Sequence, residues 1–327
     1  SETGRRTRVK ASMSKRLLCV GLTTLDILGR PIDAIPHDNG THLIEEIEVV
    51  PAGTAGGAAL VAATLGLDTA LVSAIGADNP GRFLRMALEA RGVGTRLVET
   101  LPGLPTSATI FAIDAEARRP NFHAFGASMM LEIADAAIEA ACAARFVHWG
   151  ATGAPRVDGG PGASLLRAAR AAGATITCDL IVPGPQTIDE LRRILPYVDY
   201  FMPSLTEARL LSGTASPARA ADFFMALGAR NCIFKAGESG SFLALEGERL
   251  MLPAHDIRPV DTTGCGNAYC GGFIAALDRG FSPVDACRFA TAAAALVAQG
   301  LGTLGKLESF DATLAAGKDM PLRTASA

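Results

Sequence analysis

The chain has 327 residues, of which 49% are hydrophobic and 19% charged, so one large core is available and broad disorder is excluded. A formal net charge of -3 excludes the global basic field that holds a nucleic-acid backbone. The apolar stretches are too short to predict a membrane-spanning segment. The seven cysteines are scattered without a C-x-x-C pair, which predicts free thiols in a reducing cytoplasm.

The most basic segment lies at the start of the chain and contains Arg5, Arg6, Arg8 and Lys10. A nucleic-acid or membrane arm is one interpretation of this cluster. We favour a disordered leader or an expression remnant over residues 1–15. Neither a nucleic acid nor a membrane is therefore expected as a partner.

Strand-like and helix-like segments then alternate along the chain. Residues 16–21 are a short apolar run ending on glycine, which predicts a buried strand. Further strands are predicted at 70–75, 146–149, 175–180, 200–202 and 231–235, and helices at 58–65, 81–91, 163–172, 188–195, 206–211, 218–227 and 268–298. This order predicts a mostly parallel sheet with helices on both faces.

Two segments have the alternating pattern of strands with one covered face, residues 43–50 and 106–113. They predict a small separate sheet, a lid with strands near 28–50 and 105–125. No long linker divides the chain, so residues 16–315 are interpreted as one domain, followed by a tail at 316–327.

The most informative segment is residues 261–273, DTTGCGNAYCGGF. Gly264 and Gly266 permit close backbone approach to a ligand, and helical composition begins immediately afterwards. The unpaired N–H groups at the start of that helix would point at an anion. Such groups stabilise phosphate charge as it develops during transfer. An ordinary glycine turn before a helix is the structural alternative.

The complete segment resembles the signature D-T-x-G-A-G-D-x-F-x-x-G-F of the ribokinase-like PfkB family of carbohydrate and nucleoside kinases. The resemblance implies that Gly264, Cys265 and Gly266 form an anion hole for the transferred phosphoryl group. It also implies that Asp261 and Thr263 help bind a monovalent cation such as K⁺. Cys265 replaces the family's alanine with another small side chain. Simple packing is one interpretation of this change, and a thiol pKa lowered by the helix N-terminus is the other.

Asn267 departs from this signature, since the matching family residue is the aspartate that takes the proton from the substrate hydroxyl. An asparagine amide can orient a hydroxyl but is no general base. Three explanations remain open: an engineered inactive variant, a naturally weakened or non-catalytic homologue, or a base supplied by another carboxylate.

The resemblance extends to the substrate side of the family fold. Asp26, five residues after the glycine that ends the first strand, matches an aspartate that binds sugar hydroxyls. Residues 52–59 resemble a glycine-rich segment beside the substrate, in which Gly53 and Gly57 allow close backbone approach. The family's frequent asparagine is Gly57 here, which leaves the sugar's identity open. Capping a loop is the structural alternative for Asp26.

Further matches imply a nucleotide and its metal. Glu207 matches a glutamate that organises Mg²⁺ through water, although Ser204 and Glu207 also have capping-box spacing. Lys235, at a strand end, would reach phosphate or extend along the surface to solvent. Cofactor-binding positions are completed by Gly237 and Gly240 in the following turn, and by Thr291 in an alanine-rich helix.

The resemblance therefore implies a three-layer α/β/α sandwich with a small β-sheet lid and ATP-dependent phosphorylation of a hydroxymethyl group on a sugar-like substrate. Alternatives are a nucleoside kinase and a non-catalytic sugar- or nucleotide-binding homologue. A dinucleotide-dependent oxidoreductase is disfavoured, because no G-x-G-x-x-G follows the first strand. Exposed lid edges predict a homodimer. His123 lies in the predicted lid, where a structural role is favoured over substrate contact.

Overall fold

The computed structural model describes residues 16–36 and 39–324. The basic cluster and the predicted leader at 1–15 lie outside the described residues. Within the described ranges, no helix combines the length and apolarity needed to cross a bilayer. All seven cysteines are free thiols.

Among the described residues, nine strands form the main sheet, in the order β13-β12-β11-β10-β9-β8-β1-β4-β5. Their bounds are β1 Leu17–Gly21, β4 Thr69–Gly76, β5 Gly94–Leu101, β8 Phe146–Gly150, β9 Thr175–Cys178, β10 Tyr200–Phe201, β11 Asn231–Lys235, β12 Ser241–Leu245 and β13 Glu248–Leu252. All neighbours are parallel except the β11–β12 and β12–β13 pairs. The predicted mostly parallel sheet is confirmed.

Within residues 16–36 and 39–324, ten α-helices connect and cover these strands. They are α1 Gly56–Thr64, α2 Asn79–Ala90, α3 Asp135–Ala143, α4 Pro161–Ala171, α5 Thr187–Ile194, α6 Leu205–Ser212, α7 Pro217–Ala226, α8 Cys265–Asp278, α9 Pro283–Val297 and α10 Phe310–Asp319. The predicted boundary between residues 315 and 316 falls within α10. Along β1, Leu17 faces one hydrophobic core and Leu18 faces the other. Both faces of the sheet are therefore buried, which confirms the three-layer sandwich.

The second sheet has, in the part of the chain that the structure describes, four strands in the order β3-β2-β6-β7. Their bounds are β2 Thr24–Arg30, β3 Glu46–Ala52, β6 Ala108–Ala112 and β7 Asn121–Ala124. This separate sheet confirms the predicted lid. Five strands and two helices, namely β2, β5, β7, β12, β13, α3 and α10, were not predicted individually. The residues of β7 are all exposed, so this strand lacks the alternation from which the others were recognised.

Asp78 connects the lid to the main sheet. As the N-cap of α2, it accepts a hydrogen bond from Gly81 N at 2.9 Å. The same carboxylate accepts bonds from Thr106 N at 2.8 Å and Thr106 Oγ1 at 2.6 Å, just before β6. Thr106 Oγ1 accepts a bond from Gly76 N at the end of β4. The Asp78 side chain thus joins the start of α2 to the segment just before β6, where the lid connects to the main sheet.

Replacing this anchor should destabilise the protein. Asp78→Ala removes a helix cap and leaves the Thr106 N–H without its acceptor, so we expect a loss of about 1–3 kcal/mol in the free energy of unfolding, measured by urea titration. Asp135→Ala is the matched control, because Asp135 is exposed in the first turn of α3 and should change stability by less than about 0.5 kcal/mol. Equal losses in both variants would show that Asp78 is no anchor.

Candidate active site

Residues 261–266 form the turn at the start of α8, called the α8 turn below. The buried carboxylate of Asp261 holds this turn in place. Asp261 is fully buried, and its two oxygens accept hydrogen bonds from Thr263 N at 2.8 Å and Gly302 N at 2.9 Å. Gly264 then adopts the left-handed conformation, with φ of 77°, as the N-cap of α8. A Cβ atom on Gly264 would lie 2.9 Å from the Thr303 Cα atom, so only glycine fits. No side chain among the described residues caps α8, so N–H groups in its first turn are available to a ligand, although that of Cys265 also donates to Thr262 O at 3.4 Å.

Two further residues of this turn have unusual environments. Thr263 Oγ1 is buried and has no hydrogen-bond partner among the described residues. Cys265 begins α8 with its thiol 3.6 Å from Ala294 O, and burial raises the pKa of this thiol to about 12. The expectation of a lowered pKa was wrong, because desolvation of the thiolate outweighs the field of the helix N-terminus.

Asn267 lies against the segment that matches the substrate loop. Its amide occupies the space into which a side chain at Gly57 would grow, with Asn267 Cγ 3.0 Å from the position of a Cβ atom there. Close packing of the two helices brings these residues together, since a Cβ on Gly271 of α8 would lie 2.8 Å from Ala58 O of α1. The two departures from the family pattern, at 57 and 267, are therefore neighbours in space.

Asp26 lies on lid strand β2 and is 5% exposed. Burial raises the pKa of Asp26 to about 6, against the opposing effect of hydrogen bonds from Thr109 and Thr24. The negative charge of Asp261 also raises the pKa of Asp26. The predicted sugar-binding carboxylate is therefore near the α8 turn. Gly53 follows β3 and has a positive φ of 92°. A Cβ atom on Gly53 would lie 2.6 Å from Leu22 O, so glycine is required here.

Lys235 forms a buried ion pair that sequence reasoning missed. Its Nζ atom lies 2.5 Å from Asp179 Oδ2 and 3.7 Å from Cys270 Sγ. The same Nζ lies 3.5 Å from where a Cβ atom on Gly266 would be, so a positive charge sits beside the α8 turn. Burial by itself would lower the pKa of Lys235, but the charge of Asp179 more than offsets it, and the pKa is raised.

The sequence as a whole matches one family model. That model describes the pfkB family carbohydrate kinases, and it covers residues 14–309. This chain belongs to the PfkB family. The family resemblance of residues 261–273 and the other motifs is thereby confirmed over most of the chain.

Two similar proteins are a nucleoside kinase and a sugar kinase. The chain is 28% identical to a nucleoside kinase of Methanothermobacter thermautotrophicus, over 89% of this chain and 92% of that protein. It is 25% identical to a ribokinase of Haemophilus influenzae, over 92% and 98%. Among solved structures, Arabidopsis thaliana ribokinase complexed with ribose and ATP superposes with a TM-score of 0.78 at 25% identity, covering 93% of this chain and 99% of that one.

The PfkB glutamate position has the predicted capping geometry. Glu207 Oε2 accepts hydrogen bonds from Ser204 N and Ser204 Oγ, both at 2.7 Å, and Ser204 caps α6 in return. Burial raises the pKa of Glu207, and the charge of Asp179 raises it further. The ends of β9, β10 and β11 thus bring Asp179, Glu207 and Lys235 into one electrostatic group beside the α8 turn.

The positions predicted to bind nucleotide are less uniform. Gly237 and Gly240 both have positive φ in the turn between β11 and β12. A Cβ atom on Gly237 would meet nothing within 4 Å, whereas one on Gly240 would clash with Leu252 O of β13. Gly240 is therefore required for the close packing of the turn before β12 against β13. Thr291 lies in α9 and donates its hydroxyl proton to Cys287 O at 2.9 Å, which leaves only its oxygen lone pairs for a ligand.

Arg119 is a second residue that the sequence did not single out. It lies in the lid connection between β6 and β7, and its Nε donates a hydrogen bond to Thr262 Oγ1 in the α8 turn at 2.9 Å. Its charge also lowers the pKa of Asp26. The sequence shows a basic pair at 118–119, which could have drawn attention to Arg119. Thr262 lies 143 residues further along the chain, so only the fold brings the two residues together.

The raised pKa of Asp26 makes a prediction about stability. Because the folded state holds the carboxylate's proton more tightly than the unfolded state, stability falls as pH rises from about 4 to about 6, and the cost persists above pH 6. Asp26→Asn removes this charge. We expect unfolding free energies in urea to rise by about 1–3 kcal/mol at pH 8 and to change little at pH 4.

Asp179→Asn is the comparison variant for that experiment. It also replaces a buried carboxylate, but it leaves Lys235 without its ion-pair partner, so it should destabilise the protein at pH 8. An Asp26→Asn protein that is no more stable than the wild type at pH 8 would contradict the buried-charge explanation.

Proposed function

We propose that this chain transfers the terminal phosphoryl group of ATP to a hydroxymethyl group of a sugar or sugar-like substrate. The observation that carries the proposal is the α8 turn, where uncapped N–H groups lie beside the Lys235 ammonium. Helix N–H groups and a fixed positive charge together stabilise the negative charge that develops in phosphoryl transfer. The family membership agrees with this chemistry.

The acceptor would bind on the lid side of this turn. Asp26 would accept hydrogen bonds from vicinal hydroxyls, and the backbone at Gly53 and Gly57 would approach the sugar closely. Asn267, which touches Gly57, would orient the attacking hydroxyl through its amide. Lid closure over this pair would exclude water and limit ATP hydrolysis.

Asn267 leaves the proton of that hydroxyl without the usual acceptor. The nearby carboxylates are already engaged, since Asp261 accepts two backbone N–H groups and Asp179 holds Lys235. Asp26 has a raised pKa suited to proton transfer near neutral pH, but it is also the proposed hydroxyl ligand. Positioning and anion stabilisation therefore supply most of the remaining catalysis.

The side chains present fit the implied ions. Glu207 would hold Mg²⁺ through water, and Mg²⁺ would supply charge neutralisation on the phosphates. Thr263 Oγ1, a buried oxygen without a protein partner among the described residues, suits a monovalent cation such as K⁺ next to Asp261. Lys235, Gly237 and the lone pairs of Thr291 would line the nucleotide site.

A nucleoside acceptor is the second candidate, favoured by the similarity to a nucleoside kinase over most of both chains. A non-catalytic homologue that binds sugar and nucleotide is the third, favoured by Asn267. Cytoplasmic placement remains an expectation from the cysteine pattern.

Restoring the carboxylate distinguishes a weakened kinase from a binding protein. With ATP and a panel of pentoses, hexoses and nucleosides, Asn267→Asp should raise kcat/KM at least about tenfold, because a general base contributes about 10²–10⁴-fold. Asn79→Asp, the same chemical change at an exposed position on α2, should leave the rate unchanged.

The other outcomes are equally informative. Equal rates in the wild type and Asn267→Asp would place the base on another residue. Binding of ATP and sugar by calorimetry, without turnover in either protein, would replace the kinase proposal with the binding-protein candidate.

We further propose that two copies of the chain associate through the outer face of the lid, the face opposite Asp26. This face carries exposed apolar side chains on three strands, Ile47, Val49, Ile110 and Phe122, of which Phe122 is 62% exposed. A contiguous apolar sheet face of this kind is typical of a protein–protein interface.

A charge on that face should separate the copies. Phe122→Asp is expected to shift the wild-type dimer mass to monomer mass in size-exclusion chromatography with light scattering. Leu210→Asp is the matched control, because Leu210 is 69% exposed on α6 in the main body and should leave the mass unchanged. A monomeric wild type would refute the lid dimer.

A further inference from the structure

Two carboxylates with unpaired buried oxygens lie next to one another outside the candidate active site. Asp158 belongs to the loop between β8 and α4, and Glu190 belongs to the first turn of α5. Asp158 Oδ1 and Glu190 Oε1 are both buried, and neither has a hydrogen-bond partner among the described residues. The Glu190 side chain is only 4% exposed. Buried polar atoms without a partner are rare in proteins, so this pair needs a physical explanation.

Backbone N–H groups fix the other oxygen of each carboxylate. Gly153 N donates to Asp158 Oδ2 at 2.9 Å. Gly159 N donates to Glu190 Oε2 at 2.8 Å. Because Asp158 and Gly159 are consecutive in the chain, the second bond brings the Glu190 carboxylate against the backbone beside Asp158. Both carboxylates are therefore oriented before any ligand binds, and one oxygen of each is left over.

The negative charges of this pair are poorly balanced within the fold. The pKa of Asp158 is raised to about 6, chiefly by burial and also by the negative charge of Glu190. In the part of the chain that the structure describes, Arg193 is the one cation paired with either carboxylate, and its Nε lies 3.7 Å from Glu190 Oε2. The Arg193 side chain is 56% exposed, so solvent weakens this contact. Asp158 Oδ1 and Glu190 Oε1 thus lack a compensating positive charge from the described residues.

We propose that Asp158 and Glu190 bind a hard divalent cation, of the class of Mg²⁺ and Ca²⁺, between Asp158 Oδ1 and Glu190 Oε1. Carboxylate oxygens are the ligands that these ions prefer, whereas Zn²⁺ and copper favour nitrogen and sulfur. Water would complete the coordination shell, and the half-buried Asp158 gives it access. The bound ion would join the loop after β8 to the start of α5. This site is separate from the ion positions proposed above and does not depend on kinase activity.

A proton shared between the two carboxylates is the alternative occupant. It would link the same two oxygens by one hydrogen bond and neutralise one of the two charges. The backbone hydrogen bonds from Gly153 and Gly159 argue against it, because N–H donors favour the ionised form of the carboxylate that accepts them. Two ionised carboxylates are better balanced by a divalent cation than by one proton.

The single tryptophan of the chain lies beside this loop and can report on it. Trp149 Nε1 donates a hydrogen bond to Thr152 Oγ1 at 3.0 Å. A Cβ atom on Gly162 would lie 2.6 Å from Trp149 Cζ2 and 3.1 Å from Val157 Cγ1. The indole therefore packs close to the residue that precedes Asp158. Tb³⁺ takes the same hard oxygen ligands as Mg²⁺ and Ca²⁺, and it emits when a nearby excited tryptophan transfers energy to it.

Tb³⁺ luminescence excited through Trp149 tests the site on the full chain without nucleotide. We expect saturable emission from the wild type, and Mg²⁺ and Ca²⁺ titrations should show which of the two displaces Tb³⁺ more readily. Asp158→Asn and Glu190→Gln each keep the side-chain shape but remove one charged ligand, so each should weaken Tb³⁺ binding at least about tenfold. Asp189→Asn is the matched control, because Asp189 precedes Glu190 on α5, is 73% exposed and should leave the affinity unchanged.

Urea unfolding gives a second measurement that does not use emission. A cation that binds only the folded state raises the urea midpoint. With the ion that displaces Tb³⁺, this rise should be larger in the wild type and Asp189→Asn than in Asp158→Asn and Glu190→Gln. The wild-type emission and displacement remain decisive even where a variant fails to fold.

Four results would overturn the inference. These are a wild type without Tb³⁺ emission through Trp149, emission that neither Mg²⁺ nor Ca²⁺ displaces at millimolar concentration, an undiminished affinity in both Asp158→Asn and Glu190→Gln, and equal midpoint rises in all four proteins. The first result would leave the shared proton as the occupant of the pair.

Discussion

Every part of the candidate site depends on the buried carboxylate of Asp261. Its two hydrogen bonds join the turn before α8 to the backbone at Gly302, which is distant in sequence. Full burial makes these bonds strong, because a desolvated carboxylate that lost either donor would carry a large free-energy penalty. The turn is therefore rigid, and the free N–H groups of α8 keep one direction before any ligand arrives.

Charge is distributed around this turn in a consistent way. Lys235 approaches from the end of β11 and is neutralised by Asp179. Arg119 approaches from the lid and binds Thr262. Asp26 and Asp261 add two carboxylates near the same turn, and the charge of Arg119 acts on Asp26 as well. Charges of both signs therefore surround the turn.

The departures from the family pattern also make sense together. Without a side chain at Gly57, the amide of Asn267 packs into the vacated space. A larger residue at 57 would force Asn267 into another rotamer, so the two positions constrain each other. Sequence comparison with the signature identifies each change separately, but it does not show that they touch.

The sequence by itself determined the layered fold and the local conformation of the turn before α8, because hydrophobic periodicity and glycine positions act over a few residues. Ser204 and Glu207 form the capping box that their spacing predicts for this reason. Only the tertiary structure decided which charges surround that turn. Asp179 and Arg119 come from distant strands and the lid, and the burial that raises the pKa of Cys265 is a property of packed neighbours, which local sequence does not encode.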